Sequence, residues 1–409
     1  MKGHYHKRGC KCDPNNCTCN KKWEFVIDIG KDPKTGERRQ ETKGGFNTRQ
    51  EAEAAAAALI TDVNNGTYIK ESNLLFKDFT EQWLSYYIQR NAPKPGTIRL
   101  RRYSINKLLN YFAHIKLKNI TEEMYQAALD DLKDQDFSKS TIEGVHTTGK
   151  MIFKMAVNKR MLKINPTLNA YIKRDEQVII EDDEEELPIF FEKEELLLFL
   201  NTANENGLFM DFSIFVLLSY TGMRVGELVA LKWKDIDLKK HLIRITKTYY
   251  NPDNNSRKYQ IVPPKTKKSR RKIIVDEFVI DVLKMYKIEQ EKIIKHFGKS
   301  YTNKNYVFAN VNRHPGYPLL IKFIESRMAR LLKKTDLNLN VTPHSLRHTH
   351  TSLLAEAGVD LDEIMDRLGH QDDETTRRVY LHITEERKQE AADKFSNFMG
   401  NLTGKQNVS

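Results

Sequence analysis

The sequence predicts a multidomain α+β protein. It has a small N-terminal sheet-plus-helix domain, an all-helical middle domain, and a mainly helical C-terminal domain carrying a small antiparallel sheet. Three observations predict this. Apolar and aromatic residues recur at three- and four-residue steps through 74–172, the period of an amphipathic helix. Strand-like alternation is confined to two places, one near the N-terminus and one within 242–275. An acidic run at 173–187 separates the two larger parts and has the composition of a solvated linker. A chain of 409 residues can bury two or three cores.

Composition narrows the class. Lys and Arg total 67 against 55 Asp and Glu, a formal charge of +12 with a pI near 9.2. That balance favours a polyanionic partner, although ribosomal and membrane-surface proteins share it. No apolar run approaches a membrane span, and Met-Lys-Gly-His-Tyr-His at the start lacks the apolar core of a signal peptide. A cytoplasmic protein with no membrane partner is expected. All four cysteines lie within 10–19, so no disulfide framework holds the body of the chain.

The N-terminal domain, 1–66, opens with Cys10-Lys-Cys12-Asp-Pro-Asn-Asn-Cys17-Thr-Cys19. Two Cys-x-Cys pairs joined by a turn can make a four-thiolate zinc knuckle, so Cys10, Cys12, Cys17 and Cys19 are candidate ligands of a structural zinc. A reduced tail is the competing reading, because zinc sites more often use Cys-x-x-Cys. Trp23, Phe25 and Ile27 alternate as a strand, and 37–42 reads as a second. Thr48 and Glu51 form a capping box that opens an Ala-rich helix running to Asn64. Residues 1–50 hold twelve Lys/Arg against six Asp/Glu, giving this domain a basic surface.

In the middle domain, 74–172, Phe76, Phe79, Trp83, Leu84 and Tyr87 mark the first helix. Pro93-Lys-Pro-Gly96 breaks the pattern, and Thr97 starts a helix through Tyr111. Ile120-Thr121-Glu-Glu begins another, and Ser138–Met161 supplies a final pair. Aromatic stripes at this spacing are core. Lys94, Arg99, Arg101, Arg102, Lys139 and Lys150 are candidate phosphate contacts.

The C-terminal domain, 188–399, carries the chemistry. Helices are expected over Glu192–Ala203 and Phe209–Tyr220, and Gly222 marks a corner before Arg224. Glu227 lies three residues on and can pair with Arg224. Leu242–Tyr250, Lys258–Val262 and Lys272–Val275 alternate as strands. Pro343 suits a helix start that would set His344 and Arg347 on one face. A helix over Leu361–Leu368 would stop at Gly369 and leave His370 at its end. Tyr380 follows on a third segment. Cationic and proton-handling groups with a downstream Tyr suit one phosphodiester. Arg meets the two charged oxygens with a permanent fork of donors, and a Tyr hydroxyl attacks phosphorus without metal or cofactor.

Thr221-Gly-Met-Arg-Val-Gly-Glu-Leu228, His344-Ser-Leu-Arg347, Leu368-Gly-His370 and Tyr380, in that order, resemble the tyrosine recombinase (phage-type integrase) family. The resemblance spans about 188–395. It implies a site-specific recombinase that cuts and rejoins DNA through a 3′-phosphotyrosine to integrate and excise a mobile element. Arg224 and Arg347 would clamp the scissile phosphate, with His344 and His370 supporting it, and Tyr380 would be the nucleophile. The Pro-Lys-Thr hairpin at 263–272 matches the family's, with Lys265 as the general acid and Lys267 and Lys268 as alternatives. The N-terminal domain resembles an arm-type DNA-binding domain and the helical domain a core-binding one. Implied partners are double-stranded DNA at attachment sites, a homotetramer in the synapse and a directionality factor, all at the nucleoid. No cofactor is implied for catalysis. A helix within 384–399 would pack on its own domain or dock on a neighbouring protomer. Type IB topoisomerases share this chemistry, and a non-catalytic DNA-binding repressor built on the same scaffold is the alternative outside enzymes.

Overall fold

The structure is a computed structural model that describes residues 3–10, 12, 19–31, 35–65, 73–173, 187–264, 266, 268–369, 374–384, 392 and 395–396. It is mostly helical, with small antiparallel sheets. The chain divides into two compact units, Met1–Ile180 and Glu181–Ser409. The division falls inside the acidic stretch, most of which (174–186) lies outside the described residues.

The first unit begins with a three-stranded antiparallel sheet of β1 (His4–Lys7), β2 (Trp23–Lys31) and β3 (Arg38–Phe46), in that order. Strand β1 went unread in the sequence because four residues with two His show no apolar alternation. It pairs with β2 in the register His4 to Val26 through Lys7 to Trp23. Phe25 and Ile27 face α1 (Arg49–Asn64) and form a small core with Ala52, Ala56 and Leu59. Thr48 caps α1 by accepting from the Glu51 amide at 3.1 Å. The Glu51 carboxylate reaches back to the Asn47 amide at 2.9 Å, one residue earlier than a strict capping box places it.

Four helices follow: α2 (Phe76–Asn91), α3 (Pro95–Phe112), α4 (Glu122–Asp134) and α5 (Lys139–Asn158). Helix α3 starts two residues before Thr97, because Pro95 suits the first turn, where its missing N–H is no loss. The expected pair at 138–161 is one continuous helix. Its buried face (Ile142, Val145, Ile152, Phe153, Ala156) runs unbroken at helical spacing, and Ser138 caps it. The expected aromatic stripe is core, with Phe76, Phe79, Phe112, Tyr125 and Phe153 all within 1% of full burial.

The second unit opens with α6 (Lys193–Asn206), α7 (Asp211–Thr221) and α8 (Val225–Ala230). Helix α7 is apolar on every side, and Ile214 through Leu218 are all buried, so it forms the middle of the unit. Buried Asp211 at its first turn is held by Arg327 at 2.7 Å and Arg330 at 3.0 Å. The strands are β4 (Ile236–Asp237), β5 (Leu242–Ile245), β6 (Thr248–Tyr250), β7 (Gln260–Val262) and β8 (Arg271–Ile274). They make two antiparallel sheets, β4-β5-β8 and β6-β7, where one was expected. The stretch Leu242–Tyr250 breaks before β6, where the Lys247 ammonium turns in to the Asp235 carboxylate and the ladder passes to a new partner.

Two helices that the sequence reading did not single out, α9 (Glu277–Phe297) and α10 (Ile321–Leu332), complete the core. Helices α11 (Ser345–Glu356) and α12 (Leu361–Leu368) follow, and residues 374–384 are helical. The helix expected over 384–399 lies largely outside the described residues. Among the described residues no helix is long and apolar enough to cross a membrane.

Candidate active site

The site is built on two glycine corners. Gly222 ends α7 at φ +58°, and a Cβ there would sit 2.6 Å from Leu368 Cδ2 and 2.7 Å from His350 Cδ2. Gly369 ends α12 at φ +72°, and its Cβ would lie 3.0 Å from Ser269 Cα. Both positions need the left-handed backbone and a close approach, which only Gly combines without strain. The corners therefore draw together the Thr-Gly-x-Arg turn, the base of the 263–272 hairpin and the end of α12.

Arg347 spans them. It is 2% exposed, and its guanidinium donates to the Gly222 carbonyl at 2.6 Å and the Leu368 carbonyl at 2.8 Å. Arg224 is different, because over a third of its side chain is exposed. Buried Glu227 anchors it, accepting from the Arg224 amide at 3.0 Å and from Nη1 at 3.3 Å. The same carboxylate takes Arg271 Nη2 at 2.9 Å, and Arg271 Nε donates to the Arg367 carbonyl at 2.7 Å. Burial pushes the Glu227 carboxyl up. Arg271's charge and hydrogen bonds, with those of Arg224, outweigh it and hold the group below the usual carboxylate range.

His350 closes the network from α11. A carbonyl only accepts and a guanidinium only donates, so its two contacts set the tautomer. Nδ1–H donates to the Ser219 carbonyl at 2.8 Å, and Nε2 accepts from Arg367 Nε at 3.0 Å. Burial, with Arg367 next to the ring, lowers its pKa to about 3, so the imidazole is neutral. Arg367 also donates to the carbonyls of Ile274 and Tyr220, both at 3.1 Å, tying β8 to the end of α7.

The predicted residues divide as follows. Arg224 and Arg347 flank one corner. His344 is the exposed N-cap of α11, not a member of the helix, and its ring meets His348 edge-on at 4.9 Å. Its own backbone is helical and its carbonyl accepts from the Arg347 amide at 3.0 Å, so it stands one turn before Arg347, exposed where Arg347 is buried. Tyr380 is half-buried and packs with Ala355, Ile364 and Leu368, on the helices that carry Arg347 and the Gly369 corner. Lys265, its rival Lys267, and His370 lie outside the described residues, as does Cys17. In the helical domain Arg99, Arg102, Lys139 and Lys150 are exposed, whereas Arg101 is half-buried and donates to Thr148 Oγ1 at 2.9 Å.

Sequence reasoning missed Arg271, Arg367 and His350. The available signal for His350 was its place three residues after Arg347, one turn on along the same helix. For the two arginines there was none, because an Arg-rich hairpin and a lone helical Arg read as solvated charge.

Comparison with known proteins adds the lineage. Residues 190–387 match the phage integrase family, 15–63 an arm DNA-binding domain, and 75–133 the phage integrase N-terminal SAM-like domain. The integrase of Staphylococcus phage L54a is 30% identical over 342 residues, covering 81% of this chain and 95% of that one. The Tn1549 transposon integrase, solved in complex with transposon right end DNA, superposes with a TM-score of 0.60. It is 21% identical and covers 77% of this chain and 99% of that one. A lambda integrase tetramer bound to a Holliday junction gives a TM-score of 0.53 at 17% identity, covering 87% of this chain and 91% of that one. The order of motifs, the scaffold and a relative this similar over nearly its whole length agree: the chain belongs to the phage integrase family and is a tyrosine recombinase.

Proposed function

We propose that the enzyme integrates and excises a mobile element by cutting and rejoining double-stranded DNA through a 3′-phosphotyrosine at Tyr380. In the forward step Tyr380 Oη forms a bond to phosphorus and the bond from phosphorus to the 5′ oxygen breaks. The phenol proton passes to a neighbouring base, His344 or His370. The leaving 5′ oxygen takes a proton from Lys265 or, failing that, from Lys267 or Lys268. Arg224 and Arg347 meet the charge that builds on the non-bridging oxygens. Bond energy is conserved in the ester, so a 5′-hydroxyl from another strand reverses the step and no cofactor enters.

The observation that carries this reading is the carbonyl clamp of Arg347. One guanidinium joins the Gly222 corner before Arg224 to the Leu368 carbonyl two residues before His370, while Tyr380 packs on Leu368 itself. Residues far apart in sequence are thereby drawn to one place. Assembly as a tetramer on two DNA sites, with residues 1–66 on arm sequences, 74–172 on the core site and a directionality factor setting the outcome, belongs to the same reading; the lambda integrase tetramer on a Holliday junction supports the tetramer, and the arm DNA-binding match at 15–63 supports the N-terminal role.

A nicked attachment site that loses a short 5′-hydroxyl fragment cannot religate, so the wild type should accumulate a denaturation-resistant adduct. Tyr380→Phe should bind the same site and form none. An adduct that persists in this variant, or maps to another tyrosine by mass spectrometry, rejects the assignment.

A further inference from the structure

The N-terminal sheet carries a cluster of thiols that the chemistry proposed above does not use. Strands β1 and β2 are joined by residues 8–22, a long connection for so small a domain. Cys10 and Cys19 stand on opposite sides of its neck, with their Sγ atoms 3.4 Å apart. Cys12 joins them, and the three sulfurs all lie within 4.8 Å of one another. A tetrahedral zinc with Zn–S bonds of about 2.3 Å holds its sulfurs roughly 3.8 Å apart, so the three thiols already stand near the edges of such a site. An all-sulfur donor set suits zinc and excludes hard cations such as magnesium and calcium.

We infer that Cys10, Cys12 and Cys19 bind a structural zinc ion that closes the β1–β2 connection. Each thiol gives up its proton on binding, and three thiolates on a divalent ion leave a net negative charge. Two ammonium groups stand beside that charge. Lys7 Nζ donates to the Cys19 carbonyl at 3.0 Å, and Lys21 Nζ donates to the Gly9 carbonyl. The Cys12 amide donates to Cys10 Sγ at 3.4 Å, the kind of contact that stabilises a thiolate. The domain also needs a staple. Among the described residues its core has five buried members, of which two are alanines, and domains of this size commonly depend on a metal or disulfides. The fourth ligand position remains for a further donor, and the sequence places the thiol of Cys17 two residues before Cys19.

The test uses the full-length protein purified under reducing conditions from zinc-replete cells. Elemental analysis should find about one zinc per chain, released stoichiometrically by a mercurial that titrates thiols. Replacement by cobalt should produce the intense thiolate-to-cobalt absorption of a tetrahedral sulfur site. Cys10→Ser with Cys19→Ser should lower bound metal at least tenfold, while phosphotyrosine formation on a short core site stays unchanged, which separates this site from the catalytic one. Metal-free protein, iron in place of zinc, full zinc in the double variant, or a cobalt spectrum without thiolate bands would each overturn the inference. The cobalt spectrum needs no substitution, so it decides the question even where the Ser variants fail to fold.

Discussion

At the residue scale, the charges that matter most are the ones that do no chemistry. Glu227 is 3% exposed and holds Arg224 by its amide and its guanidinium while neutralising Arg271. Removing one partner of such a buried pair costs roughly 3–5 kcal/mol, because the remaining charge is left unpaired. His350 makes a testable case. Its folded pKa of about 3 lies below its ordinary 6.5, so the unfolded chain binds more protons between those values. Its contribution is therefore fully present above pH 6.5 and is lost as pH falls from 6.5 toward 3. The slope is at most about 1.4 kcal/mol per pH unit for one proton. With Trp23→Phe and Trp83→Phe, Trp233 fluorescence reports the second unit alone. Urea midpoints should then drop between pH 6.5 and 5, and His350→Leu should flatten that drop. An unaltered slope would show that the ring is not held neutral.

At the element scale, corners and hairpins place the chemistry. Gly222→Ala puts a Cβ into Leu368 and His350 and demands an unfavourable positive φ. The backbone alone costs about 1 kcal/mol, and the clash must shift the Leu368 side chain and the His350 ring behind the Arg224 turn. Strand cleavage should fall at least tenfold while site affinity, set by many phosphate contacts, changes little. Wild-type cleavage rates in this variant would mean the corner tolerates movement. The 263–272 hairpin is anchored by Ser269, whose hydroxyl donates to the Gly369 carbonyl at 3.3 Å, so its base is fixed beside α12. If Lys265 protonates the leaving oxygen, Lys265→Ala should be inactive on normal DNA and largely restored on a 5′-bridging phosphorothioate. Sulfur leaves without an acid, so equal inactivity on both substrates would move the role to Lys267 or Lys268.

At the scale of the whole molecule, the chain is two units with separate cores, and the basic N-terminal sheet is small beside the rest. A protein that holds two kinds of DNA site through linked modules gains affinity from effective concentration, not from new contacts. Deleting residues 1–64 should spare cleavage of a short core site and abolish protection of distant arm sequences. An unchanged footprint on full-length attachment DNA would reject the division of labour.

The sequence by itself determined the family and the helical middle part, because motif spacing and helical periodicity are local properties of the chain. It also determined where α12 stops, since a glycine after an apolar turn has one economical conformation. It did not show β1, four residues whose strand character comes only from pairing with β2. It did not show the break that makes two sheets of one, where β5 pairs with β8 and β6 with β7. Tertiary structure alone decided that Arg347 is buried against two carbonyls while Arg224 keeps an exposed edge, and that His350, Arg271 and Arg367 form the frame behind them. A side chain's burial and charge partners are set by elements that arrive from elsewhere in the chain. A guanidinium on a solvated face and one that stitches three helix ends together are therefore spelled with the same letter.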